Sequence, residues 1–284
     1  MTDTSNSRTV VVDAAAHAWV VGDPLYPLDP AIATCPDNMP VIDESAEHLI
    51  ARMNTLGIDE TVISHVCYYG RDNSYTAHCV NSYPERFTGV GLLVGYRLHS
   101  PDDYENPARL ERLMREDGLS GLRLSPIYDP NAVWLNDPVS YPLWNKAQEL
   151  GAVFNIFAAP HQIAQIGDMA ARFPGVNIVV DHFAMIDITA SDVEGFNPLL
   201  DLRKFPNVYI RTSLHNPSRQ ELPYTDMWPY LERAYDSFGP QKLIYASDYE
   251  LLIMKDLIPF FTSEDKKWIL GRNALSIYRD NIRT

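Results

Sequence analysis

One pattern constrains the fold of this chain more than any other. Eight short apolar runs, at residues 9–13, 60–65, 88–94, 120–125, 152–157, 176–182, 207–213 and 242–248, alternate with segments whose apolar residues recur at helical spacing. The runs show no strict apolar–polar alternation, as expected of strands covered on both faces. Asp43 stands where it can cap a helix with the apolar face Leu49, Ile50, Met53 and Leu56, stopped by Gly57. Similar stripes are Leu110, Leu113 and Met114 before Gly118, Ile163, Ile166, Met169, Ala170 and Phe173 before Pro174, and Leu231, Ala234, Tyr235 and Phe238 before Gly239. Such stripes face a core. Strand–helix alternation repeated eight times predicts an α/β fold, a (β/α)8 TIM barrel in one domain. Residues 1–8 form a polar tail expected to be disordered, and 9–284 form the barrel.

Composition narrows the partners. A formal net charge of -14 argues against nucleic acid or an anionic membrane as a partner. It leaves room for an anionic small molecule, because local arginines override a global field at short range. No apolar run approaches the ~18 residues that span a bilayer, and the start, "MTDTSNSRT", lacks the apolar core of a signal peptide. Cys35, Cys67 and Cys79 lie far apart, without a C-x-x-C pair, so reduced thiols in a cytoplasmic protein are the expectation. Cys67 reads as a structural thiol rather than a nucleophile.

One connection is abnormally long. Residues 18–42, "AWVVGDPLYPLDPAIATCPDNMPVI", join the first strand to its helix. Structureless loops beyond ~12–15 residues are usually functional or disordered. On a barrel this β1–α1 loop leaves the C-terminal face, where barrel active sites sit, so it is expected to cover substrate there.

Residues at the strand ends should converge on that face. Asp13, Ala15, His17 and Trp19 alternate in "VVVDAAAHAWVV" and share one side of an extended chain. Tyr68, Tyr69 and Arg71 follow the second strand. Arg123 and Ser125 end the fourth, and Asn155, Phe157 and His161 belong to the end of the fifth. Asp181 and His182 end the sixth, Arg211, Ser213 and His215 the seventh, and Ser247, Asp248 and Glu250 the eighth. Each alone has a structural explanation. Together they are a concentration of groups that are costly to bury unpaired.

The segments "VVVDAAAHAWV", "YYGRDNSY", "YPERFTGVGLL", "GLSGLRLSP", "FPGVNIVVDHFA", "PNVYIRTS", "FGPQKLIYASDYE" and "NALSIY" resemble, in this order, the amidohydrolase-related hydrolases and decarboxylases of the amidohydrolase superfamily. The resemblance runs from about Val10 to Tyr278. In metal-using members a His-x-His pair ends strand one, a histidine sits on strand five or six, and an aspartate ends strand eight. Here Ala15 takes the first position of the pair, and Phe157 stands where strand five would ligate. A metal would have His17, His182 and Asp248 left, the minimum of three protein ligands for catalytic zinc. The expectation is therefore no metal cofactor, with zinc disfavoured by Ala15.

Metal-independent lactonases of this group imply a chemistry. Asp248 would be the general base that deprotonates water, while His182 and His17 would donate hydrogen bonds to the substrate carbonyl. Asp13 would anchor the following loop. Arg123 and Arg211 would bind a substrate carboxylate, unless they pair with Asp181, Asp248 or Glu250. Trp19, Tyr68, Tyr69, Phe157, Phe183 and Tyr249 would line the mouth, and His215 would contact substrate. Many relatives have proline after "SD-aromatic"; this chain has Glu250, an acid, a substrate contact, a solvated residue or a partner of Arg211.

Three functions remain open at this level. The first is a metal-independent hydrolase of a lactone or similar cyclic, carboxylate-bearing substrate. The second is a lyase, a decarboxylase or dehydratase, acting on an acidic aromatic or alicyclic substrate. The third is a non-catalytic binding barrel. The resemblance also implies a homodimer.

Overall fold

The computed structural model describes residues 8–30, 33, 39–94, 103–189, 193, 195–246 and 250–279. Its strands are β1 (Val12–Ala16), β2 (Glu60–Ser64), β3 (Phe87–Val90), β4 (Gly121–Leu124), β5 (Val153–Ile156), β6 (Asn177–Val180), β7 (Val208–Arg211) and β8 (Leu243–Ile244). All eight fall on or beside the apolar runs. The helices between and after them are α1 (Ala46–Leu56), α2 (Ser74–Ser82), α3 (Asn106–Arg115), α4 (Tyr141–Leu150), α5 (Ile163–Arg172), α6 (Phe196–Asp201), α7 (Trp228–Phe238), α8 (Ser263–Lys267) and α9 (Asn273–Tyr278).

The strands pair in parallel in the orders β1-β2-β3 and β4-β5-β6-β7-β8. Two seams close the circle. Ser120 N–H donates to Gly89 O at 2.7 Å and Arg123 N–H to Gly91 O at 2.7 Å, joining β3 to β4. Ala14 N–H donates to Tyr245 O at 3.3 Å, joining β1 to the end of β8.

Side-chain alternation along each strand separates two cores. Val12, Ala14, Val62, Val90, Val153, Val179 and Ile244 pack inside the barrel against Ala274, Ile277 and Tyr278 of α9. Ile63, Phe87, Leu122, Phe154, Ile178 and Ile210 face outward onto Leu49, Met53, Leu110, Leu113, Ile166 and Leu231 of the helices. α9 plugs the N-terminal mouth: the Tyr278 hydroxyl reaches up the interior to donate to Asn155 Oδ1 at 2.5 Å, while its carbonyl accepts from Ser120 Oγ at 2.7 Å. With one end plugged, ligands enter from the other.

Several local expectations need correction. β1 lies three residues further along than the apolar run, and its register against β2 shifts between Asp13 and Ala16. Asp13 Oδ1 accepts the Ala15 N–H at 3.0 Å, a contact within β1 rather than to the loop that follows. The cap of α1 is Ser45, whose hydroxyl accepts from His48 N at 3.3 Å; Asp43 instead accepts the Val21 N–H at 2.6 Å. Cys67 is disulfide-bonded, which removes the basis of the reduced-thiol, cytoplasmic expectation, and Cys79 is a buried free thiol.

The two ends of the long loop are stapled by Trp19 and Glu44, which exchange backbone hydrogen bonds of 2.9 and 3.0 Å. Residues 31, 32 and 34–38 within it, and 1–7 of the tail, lie outside the described residues; Arg8 pairs with Asp59 at 2.9 Å. Among the described residues no helix is long and apolar enough to cross a membrane.

Candidate active site

A cavity of about 280 Å³ opens at the C-terminal end of the barrel. Ala15 and the adjoining His17 come from β1, Ser64 from β2, Arg123 from β4 and Arg211 from β7. Phe157 follows β5, His182 follows β6, and His215 and Asn216 follow β7. Two roomier clefts, of about 380 and 450 Å³, lie elsewhere. In one, Arg71 and Arg109 pair with Asp103, and in the other Arg8 pairs with Asp59. Of these three, the smaller cavity is the one that gathers side chains from the C-terminal ends of several strands.

Its floor gathers buried charges. Asp181 is fully buried and pairs with Arg211 Nη1 at 2.7 Å and with Arg123 Nε at 3.7 Å. Two guanidinium groups thus share one carboxylate, and Arg123 also lies over the Phe157 ring at 5.0 Å. Among the described residues, Nε of Arg123 and Nε and Nη2 of Arg211 are buried without a hydrogen-bond partner. Arg211 also interacts with the Tyr278 hydroxyl inside the barrel.

His182 owes its position to the backbone. After β6 the chain makes a left-handed turn in which His182, Phe183, Ala184 and Met185 have φ of 50°, 53°, 54° and 53°. For non-glycine residues this conformation costs roughly 1–2 kcal/mol each. Complete burial of Phe183 and Ala184 offsets that cost. The turn brings the His182 ring edge-on to Phe157, at 5.5 Å between centroids. Burial, then Arg211 and Arg123, hold its pKa well below the ordinary histidine value.

His17 is also kept neutral. Burial first, then Arg123, lowers its pKa to about 4, although its hydrogen bond to Ser64 opposes the shift. Its Nδ1 lies 2.7 Å from the Ser64 carbonyl oxygen. A carbonyl only accepts, so Nδ1 carries the hydrogen and Nε2 keeps a lone pair.

Along one wall of the cavity a relay of polar groups runs from His182 down to Glu250. His182 Nδ1 is 3.1 Å from Asn216 Nδ2, which is 2.8 Å from His215 Nε2, and His215 Nδ1 is 2.7 Å from Glu250 Oε1. Glu250 is wholly buried and also accepts the backbone N–H groups of Leu214 and His215 at 2.8 Å. It lies beneath His215, which corrects its placing among substrate contacts.

Other expected contacts stand apart from the cavity. Tyr69 is buried, and its hydroxyl accepts the Val20 N–H at 3.0 Å. Trp19 packs edge-on against Tyr68 at 5.4 Å and donates its indole N–H to Ile42 O at 2.7 Å. These three aromatics hold the long loop to the barrel. Arg71 is engaged by Asp103, and His161 Nε2 meets Pro130 O at 3.0 Å. Ser247, Asp248 and Tyr249 lie outside the described residues. Ser64 and Asn216 were not foreseen: nothing in the spacing marks a serine ending a strand or an asparagine beside a histidine.

The donor set among the described residues does not fit a tightly held divalent cation. Ala15 and Phe157 present a methyl and a phenyl where ligands would stand, and two arginines repel positive charge.

Barrel, cavity and comparison agree on kinship. The chain belongs to the amidohydrolase family, whose description matches residues 12–279. It is 27% identical over 250 residues to an L-fucono-1,5-lactonase of Burkholderia ambifaria, covering 85% of this chain and 80% of that one. It is 25% identical over 210 residues to a 4-sulfomuconolactone hydrolase of Rhizobium radiobacter, covering 73% of this chain and 66% of that one. A solved structure of a probable 2-pyrone-4,6-dicarboxylic acid hydrolase from Acinetobacter baumannii, with citric acid bound, superposes with a TM-score of 0.72. That likeness, at 15% identity over 94% of this chain and 98% of that one, is one of fold.

Proposed function

We propose that this amidohydrolase opens a lactone or similar cyclic ester bearing a carboxylate, without a tightly held metal. The observation that carries the reading is the pair of guanidinium groups, Arg123 and Arg211, that line one cavity at the open end of the barrel and both reach the buried carboxylate of Asp181. Arginine suits bidentate binding of a carboxylate. Two relatives that act on lactones, one of them named for a sulfonated substrate, support the same class.

In this reading the substrate carboxylate sits on Arg123 and Arg211, with the ring carbonyl toward His182. Asp248 matches the family's strand-eight aspartate and takes a proton from water as it attacks the carbonyl carbon. His182 donates a hydrogen bond to the oxygen on which charge develops. His17 departs from its expected role as a second donor: its N–H is engaged by Ser64, so its Nε2 accepts from the attacking water and orients it. Collapse of the tetrahedral intermediate breaks the ring C–O bond, the leaving alkoxide takes the proton that Asp248 removed from water, and an open-chain hydroxy acid results.

The test joins elemental metal analysis of protein purified without chelator to the variant Ala15→His. Substoichiometric metal in the native chain, with a gain on Ala15→His, supports the metal-free reading. A full equivalent of zinc or manganese in the native chain overturns it and brings the lyase reading forward.

A further inference from the structure

The relay along the cavity wall bears on where His182 carries its proton, an inference that rests on the reading of His182 as a donor to substrate. Glu250 is a buried carboxylate already accepting two backbone N–H groups, so the ring nitrogen 2.7 Å from it, Nδ1 of His215, must donate. The structure places the Asn216 amide nitrogen 2.8 Å from Nε2 of His215, and a group that only donates requires a lone pair there. That nitrogen has two hydrogens and no lone pair to offer. Its second hydrogen points to Nδ1 of His182, 3.1 Å away, which must accept. An uncharged His182 is left with its one hydrogen on Nε2. His17 is fixed the opposite way by the Ser64 carbonyl.

We propose that Glu250, His215 and Asn216 are positioning residues that lock His182 in its Nε2–H tautomer, presenting a fixed donor to the substrate oxygen across the cavity from the acceptor Nε2 of His17. None of the three needs to touch the reacting atoms. A donor held in place before substrate arrives needs no reorganisation as charge builds, which is where such groups gain their effect. The lock also accounts for a carboxylate at position 250, where it both shapes the turn after β7 and sets the tautomer of His215.

Nitrogen-15 NMR of protein labelled in its histidine rings tests this directly, because only eight histidines contribute and His182→Gln identifies the resonances of interest. The expected pattern is a protonated Nε2 and a bare Nδ1 at His182. Asn216→Asp offers an acceptor to both rings and should move the His182 hydrogen to Nδ1. It should also lower kcat for lactone opening on the order of 10²-fold, as loss of one oxyanion donor does, with KM little changed. Asn216→Ala, a second variant, should leave the His182 hydrogen divided between both nitrogens. A native His182 protonated on Nδ1, or a pattern unmoved by either variant, overturns the lock. So does a reversed tautomer with unchanged kcat. The spectra need no substrate. If they behave as expected while no lactone is opened, the lock stands and the hydrolase reading falls.

Discussion

Two neutral histidines face each other across the cavity, and what separates them is the atom that carries the hydrogen. Both are held neutral by burial and by nearby guanidinium groups. This has a consequence for stability. In the unfolded chain a histidine takes up its proton near pH 6.5, whereas folded His17 does so only near pH 4. Between those values the unfolded state binds the extra proton, so stability falls as pH drops from about 6.5 toward 4 and levels off below the folded value. His182 shifts in the same direction. The unfolding free energy from urea titrations should therefore decline between pH 7.5 and 5, with a limiting slope of about 1.4 kcal/mol per pH unit for each such histidine, and the midpoint should fall with it. His17→Gln should remove one histidine's share of that slope. A midpoint flat over this range, or a variant with the native slope, would show that the histidines are not held neutral. At this scale the sequence exposed His17, His182, Arg123 and Arg211 as strand-end residues. It did not expose their tautomers, which depend on Ser64 and Asn216, partners 47 and 34 residues away along the chain.

Elements place these groups through close contacts that admit little variation. Gly121 opens β4 where it meets β5, and a Cβ there would lie 1.9 Å from the Val153 carbonyl oxygen. Gly121→Ala must push two paired strands apart, and Arg123 sits two residues further along β4. The variant should lose about 1–3 kcal/mol, the usual range for overpacking, and bind substrate carboxylate more weakly. Thermal melting and KM measured together check this; a variant with native melting would mean that the strands part without strain. All eight strands were legible because barrel strands are buried on both faces and read as unbroken apolar runs. Their ends were not. The left-handed turn after β6 leaves no mark in "DHFAM", which contains no glycine, because burial of Phe183 and Ala184 holds it. The mouth aromatics misled for a related reason: Tyr69 and Trp19 are spent on the long loop, and only the path of that loop shows it.

At the scale of the whole molecule, a chain with net charge -14 gathers two arginines around one aspartate at the open end of its barrel. The other end is closed by α9, so cavity and entrance lie on the same face. The order of motifs made the family and fold legible along nearly the whole chain, and the family match over residues 12–279 bears this out. Substrate class rests on the charge of a cavity that forms only when β4, β6 and β7 come together. The most direct measurement is therefore the rate of ring opening of a carboxylate-bearing lactone, followed by acid release, beside the same lactone without its carboxylate and with chelator present throughout. The account predicts that the carboxylated lactone is opened, that the chelator leaves the rate unchanged, and that the uncharged analogue reacts far more slowly. Loss of activity on chelation, restored by zinc, or equal rates for the two lactones, would contradict it.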